Sequence, residues 1–265
     1  MSATAVRAVL VDLDDTLFDH QHCARAALRG VCALHEALAG MEPRLLEESH
    51  SRILEELHLD VMAGRVDLDG ARIERFRRLY RTVGLDADAE LAARTAAAYR
   101  TLYMESRRPV EGASDFLAAI GTRAAVVIVS NNLLEEQREK LRHCGLDYHI
   151  DLLVVSEEVG AAKPSARIFE VALARAGVTA KEAVMLGDSW INDVEGARAA
   201  GIRAVWFNRD GRVPPDPDVP VLRSLAVSSD TWHVLLGGGP PGGGPPGGRP
   251  QGGERQDDVA TRGRA

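Results

Sequence analysis

Residues 6–19 read VRAVLVDLDDTLFD, and this stretch decides the fold. Val6–Asp12 is a short apolar run, rich in β-branched residues and broken by an acid. It is too short for a helix and reads as a buried parallel strand whose carboxyl end carries the acidic group. Similar runs recur at Ala124–Ser130, Leu152–Ser156, Ala183–Gly187 and Arg203–Asn208. Helical patterns with legible ends lie between them. Leu133–His143 begins after Asn131-Asn132 and stops at Gly145. Pro164–Ala176 places Pro in a first turn that tolerates it, presents Ile168, Phe169, Ala172, Leu173 and Ala176 on one face, and ends at Gly177. Val194–Ala200 follows Asn192-Asp193 and ends at Gly201. Strand alternating with helix is the pattern of a doubly wound α/β sheet.

Residues 20–107 break that rhythm. They hold no convincing strand but several amphipathic stretches: Cys23–Leu38, Pro43–Leu57, Gly70–Val83 and Ala87–Met104. They read as a helical bundle inserted after the first strand, above the carboxyl ends of the strands, where open α/β sheets bind ligands. The expected organisation is a Rossmann-like core over 1–19 and 108–236, a helical cap over 20–107, and a tail over 237–265. The tail begins GGGPPGGGPPGGRPQGG; such a composition cannot bury a core and reads as disordered.

The chain has 265 residues, 45% hydrophobic and 27% charged, with net charge −7, ample for one or two domains with a substantial core. The tail carries four Arg against three acids, which leaves −8 on residues 1–236. A body that acidic is a poor polyanion binder and argues against nucleic acid as a partner. Cys23, Cys32 and Cys144 show no CxxC spacing and read as reduced thiols. Met1–Arg7 has no long apolar run behind it, and no stretch approaches the roughly 20 apolar residues of a membrane span. The expectation is a cytoplasmic protein, a monomer or homodimer, without membrane contact.

Four clusters carry chemistry. Asp12 and Asp14 fall on one side of an extended chain, where two carboxylates share a divalent ion or divide nucleophilic and acid–base labour; a turn rich in Asp is the structural alternative. Gly187-Asp188-Ser189-Trp190-Ile191-Asn192-Asp193 again follows a strand and precedes a helix. Parallel strands bring their carboxyl ends to one edge, so Asp188 can meet Asp12 and Asp14 in a hard oxygen site suited to Mg²⁺; alone, this string is also a helix cap. Ser130-Asn131-Asn132 ends a third strand, with a hydroxyl and free backbone N–H groups for an anion, or simple N-capping. Lys163 is one of only 3 lysines beside 29 arginines, and precedes a helix in a loop that connects strands. Its ammonium suits a phosphoryl group; a surface lysine is the alternative.

These pieces follow successive strands in the order acid pair, hydroxyl, lysine, acid pair. Through VLVDLDDTLFD (9–19), VIVSNN (127–132), AAKP (161–164) and GDSWINDVEGARAAG (187–201), the sequence resembles the haloacid dehalogenase-like (HAD) hydrolases over most of residues 6–210. The insertion resembles the helical cap of the subgroup containing phosphoglycolate phosphatase and the pyrimidine nucleotidase. The resemblance implies that Asp12 attacks phosphorus to form an aspartyl-phosphate. It implies that Asp14 protonates the leaving oxygen, then deprotonates water, and holds Mg²⁺ through its backbone carbonyl. Asp12 and Asp188 would complete the metal ligands, Asp193 would orient Lys163 or the metal's water shell, and Ser130, the Asn131 amide and Lys163 would hold phosphoryl oxygens. Dehalogenases of the family lack the second acid of the first motif; Asp14 is present here, which argues against dehalogenation.

The expected activity is Mg²⁺-dependent hydrolysis of a small phosphorylated metabolite, a sugar phosphate first, then phosphoglycolate or a nucleoside monophosphate. A phosphotransferase and a non-catalytic metabolite-binding protein are the alternatives. His20 and His22 read as linker histidines, Asp15 as a polar turn residue, and Phe18 and Trp190 as pocket wall or packing at the cap–core junction. The arginines of Arg72–Arg81 (RIERFRRLYR) read as a solvated face opposite Ile73, Phe76, Leu79 and Tyr80.

Overall fold

Six parallel strands, β1 (Ala8–Val11), β2 (Ala125–Ser130), β3 (Leu152–Val155), β4 (Ala183–Gly187), β5 (Arg203–Phe207) and β6 (Val221–Leu222), form one sheet in the order β3-β2-β1-β4-β5-β6. The structure is a computed structural model that describes residues 5–236; the tail read as disordered lies outside the described residues. Period-two alternation sends Val9, Val11, Ile128, Leu186 and Phe207 to one face and Leu10, Val127, Val129, Met185 and Trp206 to the other. Both faces are buried, which is why the strands read as continuous apolar runs.

Five helices follow β1: α1 (His20–Leu34), α2 (Glu36–Ala39), α3 (Pro43–Met62), α4 (Leu68–Thr82) and α5 (Ala89–Glu105). α1 packs on α5, α5 on α4 and α4 on α3, around Leu38, Ile53, Phe76, Leu79, Tyr80 and Tyr99. Glu42, Asp67 and Asp88 cap α3, α4 and α5 by accepting from backbone N–H groups three residues on. The two connections to the sheet run side by side. The Asp19 N–H donates to the Arg108 carbonyl (3.1 Å) and the Val110 N–H to that of Leu17 (2.8 Å).

The remaining helices flank the sheet: α6 (Ala113–Gly121), α7 (Leu134–His143), α8 (Ser156–Val159), α9 (Ala166–Ala176), α10 (Gly196–Ala199) and α11 (Ser229–Leu236). α9 covers one face through Ile168, Phe169 and Ala172; α6 and α11 cover the other through Phe116, Ile120, Trp232 and Leu235. Two sequence expectations shift. Pro164 precedes the helix, which Ser165 caps from Ala166, and the helix expected over Val194–Ala200 starts with a π-helical turn at Trp190–Glu195. Among the described residues no helix is long and apolar enough to cross a membrane.

In this strand order the connections leave β1 and β4 in opposite directions, so the crevice at their carboxyl ends is the topological switch point. Val11 pairs with Ile128 on one side and Leu186 on the other. That register sets the ends of β1, β2 and β4 level, with Asp12, Ser130 and Asp188 at one edge.

Candidate active site

Lys163 is the hub. Its Nζ donates to Asp12 Oδ1 (2.6 Å), Asp193 Oδ1 (2.7 Å) and the Val129 carbonyl (2.8 Å), and the side chain is buried. Burial alone would depress its pKa, but Asp12 and Asp193 drive it above the usual lysine range, so the ammonium is charged. The Asn131 side chain fixes the loop that supplies it, accepting from the Lys163 N–H (2.6 Å) and donating to the Lys163 carbonyl (2.8 Å).

Asp12, Asp188 and Asp193 each place a carboxylate oxygen within 4.8 Å of the others. Asp193 comes close because residue 187 is glycine. A Cβ there would lie 2.3 Å from the Asp193 carboxyl, so close approach of this side chain, more than a sharp turn, explains Gly187. The Ser189 N–H donates to Asp193 Oδ2 (2.9 Å). The Asp188 side chain has no hydrogen bond or ion pair among the described residues. Burial and repulsion from Asp12 and Asp193 push its carboxyl up to about 9. Burial pushes Asp12 up to about 7, with Lys163 opposing and Asp193 adding to the rise. Fully ionised, three carboxylates against one ammonium would carry two surplus negative charges, and a divalent cation fits that donor set.

Asp14 stands apart from this trio. β1 ends at Val11, and the chain turns with Asp15 in the left-handed region (φ 64°), its Oδ1 accepting from the Gln21 N–H at the start of α1. Leu13 joins Val9 and Val11 in the core on one face, so the alternation continues past the strand end, and the Asp14 carboxylate meets α7. Lys140 Nζ lies 2.6 Å from Oδ1, and Gln137 Nε2 donates to Oδ2 (2.8 Å). Burial would raise this carboxyl, but Lys140 above all holds it well below the usual carboxylate range. Gln137 also donates to Ser130 Oγ, linking the hydroxyl after β2 to the acid after β1.

A cavity of about 280 Å³ opens above these groups, with Asp14, Asn131, Asn132 and Lys140 on its floor and α1, α3, α4 and α5 as its roof. His20 lines it, its Nδ1 2.8 Å from the Tyr103 hydroxyl, so it is no exposed linker histidine. Phe18 and Trp190 do not line it. Phe18 is fully buried under Lys140, and Trp190 packs edge-on against Trp206. Of the arginines read as solvated, Arg75 is buried and lines the roof.

The sequence reading passed over Lys140, Gln137 and Arg75. Two signals were present: Lys140 is one of the 3 lysines, and Gln137 and Lys140 sit three apart on one helix face. Arg75 lies four residues from both Ala71 and Leu79, on the stripe that α4 buries.

Comparison with known proteins bears directly on this arrangement. The sequence model of the haloacid dehalogenase-like hydrolases matches residues 6–201. The chain belongs to that family. It is 34% identical over 238 residues to a phosphoserine phosphatase of Thermus thermophilus, covering 82% of this chain and 95% of that one. It is 33% identical over 222 residues to a glyceraldehyde 3-phosphate phosphatase of Methanopyrus kandleri, covering 81% and 91%. The crystal structure of the HAD-hydrolase YfnB of Bacillus subtilis, bound to magnesium, superposes with a TM-score of 0.66 at 27% identity, covering 87% of this chain and 98% of that one.

Proposed function

We propose that this HAD-like hydrolase is a divalent-metal-dependent phosphatase that cleaves a small phosphomonoester through an aspartyl-phosphate on Asp12. The carrying observation is the Asp12–Lys163–Asp193 cluster beside the unpaired Asp188, which joins a buried nucleophile, a fixed cation and surplus negative charge at one sheet edge. The names of the two relatives, each a phosphatase of a small phosphorylated metabolite, support the same reading.

Asp12 attacks phosphorus, forming a bond to its carboxylate oxygen as the ester P–O bond breaks, and Asp14, having taken the proton of the monoanionic ester, gives it to the departing oxygen. Water then attacks the aspartyl-phosphate, Asp14 takes its proton, and inorganic phosphate leaves with Asp12 regenerated. The ionised Asp14 held by Lys140 is the form that accepts that proton. Lys163, the Ser130 hydroxyl and the Asn131 amide hold phosphoryl oxygens, the groups where charge builds in phosphoryl transfer. The Asp12 and Asp188 carboxylates and the Asp14 carbonyl would hold Mg²⁺, with Asp193 supporting Lys163; the ion supplies neutralisation of phosphoryl charge.

The segment 20–107 acts as a cap whose roof contacts the leaving group, and 1–19 with 108–236 forms the catalytic core. Sugar phosphates come first as substrates, since the cavity takes a leaving group of that size. The test is release of p-nitrophenolate from p-nitrophenyl phosphate with Mg²⁺ and with chelator, beside Asp12→Asn. Metal-dependent release by the wild type, abolished in the variant, supports the reading; metal-independent release, or a variant of equal activity, ends it.

A further inference from the structure

Arg75 projects from α4 into the cavity roof and is 9% exposed. Among the described residues its guanidinium makes no ion pair and donates no hydrogen bond, and its Nε is buried without a partner. Packing alone holds it: Cζ lies 4.7 Å from the ring centre of Tyr99 and 5.3 Å from that of Phe76. Contact with aromatic rings places the cation but leaves its N–H groups unsatisfied.

The surrounding charges make this unusual. Arg72 and Arg100, which line the same cavity, both bind Glu136 (2.9 and 3.1 Å), and Lys140 binds Asp14. Each of these cations has its carboxylate, and the cavity's two inner acids are thereby taken. Glu55, the remaining acid of the lining, is exposed and forms no ion pair among the described residues. Burial, with Arg72 and Arg100 nearby, weakens the hold of Arg75 on its proton, as expected for a cation lacking a counter-ion. A buried charge without a partner is costly, and a ligand that brings the anion relieves that cost.

The phosphate already has its cradle in the proposed reaction: Lys163 and Ser130 lie at the sheet edge outside the cavity and Asn131 on its floor, whereas Arg75 is on the roof. The missing negative charge therefore belongs on the leaving group. One unpaired cation calls for one negative charge, and the planar guanidinium edge matches a carboxylate with two parallel hydrogen bonds.

We propose that Arg75 is a specificity residue that binds a carboxylate on the leaving group. The substrate class is then phosphomonoesters of hydroxy acids, amino acids or sugar acids. This assignment rests on the phosphatase reading above and moves its first substrate from neutral sugar phosphates to carboxylated esters.

The test compares kcat/KM for esters that differ only in the carboxylate: phosphoglycolate against ethyl phosphate, and phosphoserine against phosphoethanolamine. The wild type should favour a carboxylated member by about tenfold to a hundredfold, the range of a charge-assisted hydrogen bond. In Arg75→Met that ratio should collapse towards one, with Arg75→Lys between. Wild-type hydrolysis without discrimination, or discrimination that survives Arg75→Met, overturns the carboxylate subsite and leaves the phosphatase reading standing. A larger preference for a sugar bisphosphate over its monophosphate would assign Arg75 to a second phosphate and overturn the carboxylate. No hydrolysis of any ester, p-nitrophenyl phosphate included, removes both readings. The wild-type ratio needs no variant, so a misfolded Arg75→Met cannot shield the proposal.

Discussion

Lys140 Nζ sits 2.6 Å from Asp14 Oδ1, tying the helix after β2 to the loop after β1. With Gln137 three residues earlier on the same helix, it holds the Asp14 carboxylate ionised and aimed. The second half of the proposed reaction needs that form, because water must lose a proton as it attacks the aspartyl-phosphate.

Lys140→Met should therefore slow breakdown of the intermediate more than its formation. With p-nitrophenyl phosphate, whose leaving group needs no proton, quenched-flow measurement should show a burst of p-nitrophenolate equal to the enzyme. A steady state reduced by about a hundredfold, at the lower end of general acid–base effects, should follow. An unreduced steady-state rate without a burst would show that Asp14 works unaided.

Asp188 predicts a conflict between function and stability. Its carboxyl is pushed up to about 9 in the metal-free protein, against 3.8 in an unfolded chain. Below 3.8 both states are protonated and the site costs nothing. As pH rises from there to about 9, the unfolded chain releases a proton that the folded protein retains, so stability falls across that window. In chelator at pH 8, Asp188→Asn should melt higher than the wild type by several degrees, at about 2–4 °C per kcal/mol for a domain this size. Mg²⁺ should raise the melting temperature of the wild type and do much less for the variant. A variant that melts lower in chelator would contradict the uncompensated carboxylate.

The sheet was legible because parallel strands buried on both faces leave runs such as AVVIVS and AVMLG, and the acids at their ends followed from strand polarity. Val221–Leu222 is two residues long, too short to leave a period, and α6 and α11 are short helices that lie outside the motif-bearing stretches. The site divides in the same way. Asp12, Lys163, Asp188 and Asp193 lie in the motifs quoted from the sequence, and the structure brings their side chains together. That the Asp14 carboxylate meets Lys140 and Gln137 depended on α7, a contact between distant segments that no strand period encodes. Arg75 looked like its neighbours Arg77 and Arg78 because composition does not say which arginine of a strip faces a cavity; the four-residue spacing to Ala71 and Leu79 does.

Asp19 joins both connections to the sheet. Its Oδ2 accepts two hydrogen bonds from Arg108 (2.9 and 2.7 Å), and its Oδ1 lies 3.3 Å from Arg209 after β5. Arg108 is 53% exposed at its side chain, so screening reduces the worth of the pair. Asp19→Asn should cost only about 1 kcal/mol of global stability. Its larger effect should be local: amide hydrogen exchange at Asp19 and Val110, whose N–H groups bridge the connections, should quicken more than exchange in β1. Equal acceleration in the strand would mean that Asp19 holds the core, not the junction.

Gly187 gives the sharpest steric expectation. In Gly187→Ala the new methyl would overlap the Asp193 carboxyl at 2.3 Å, and Asp193 is itself buried and bound to Lys163 and to the Ser189 N–H. The backbone cannot yield easily, since Gly187 pairs with Trp206 inside the sheet. Asp193 must therefore swing away, leaving Lys163 with Asp12 as its one carboxylate beside the Val129 carbonyl. Denaturant unfolding should show a loss of about 1–3 kcal/mol, as for overpacked cores. Activity with p-nitrophenyl phosphate should fall even where the variant stays folded, because the lysine proposed to hold the phosphoryl group has lost one of its two carboxylate partners. The double variant Gly187→Ala, Asp193→Gly separates the causes: with the Asp193 Cβ, itself 2.6 Å from the new methyl, also removed, it should recover part of the steric loss in stability but none of the activity. Recovery of both would show that Asp193 is dispensable to Lys163 and that the cluster works as a pair.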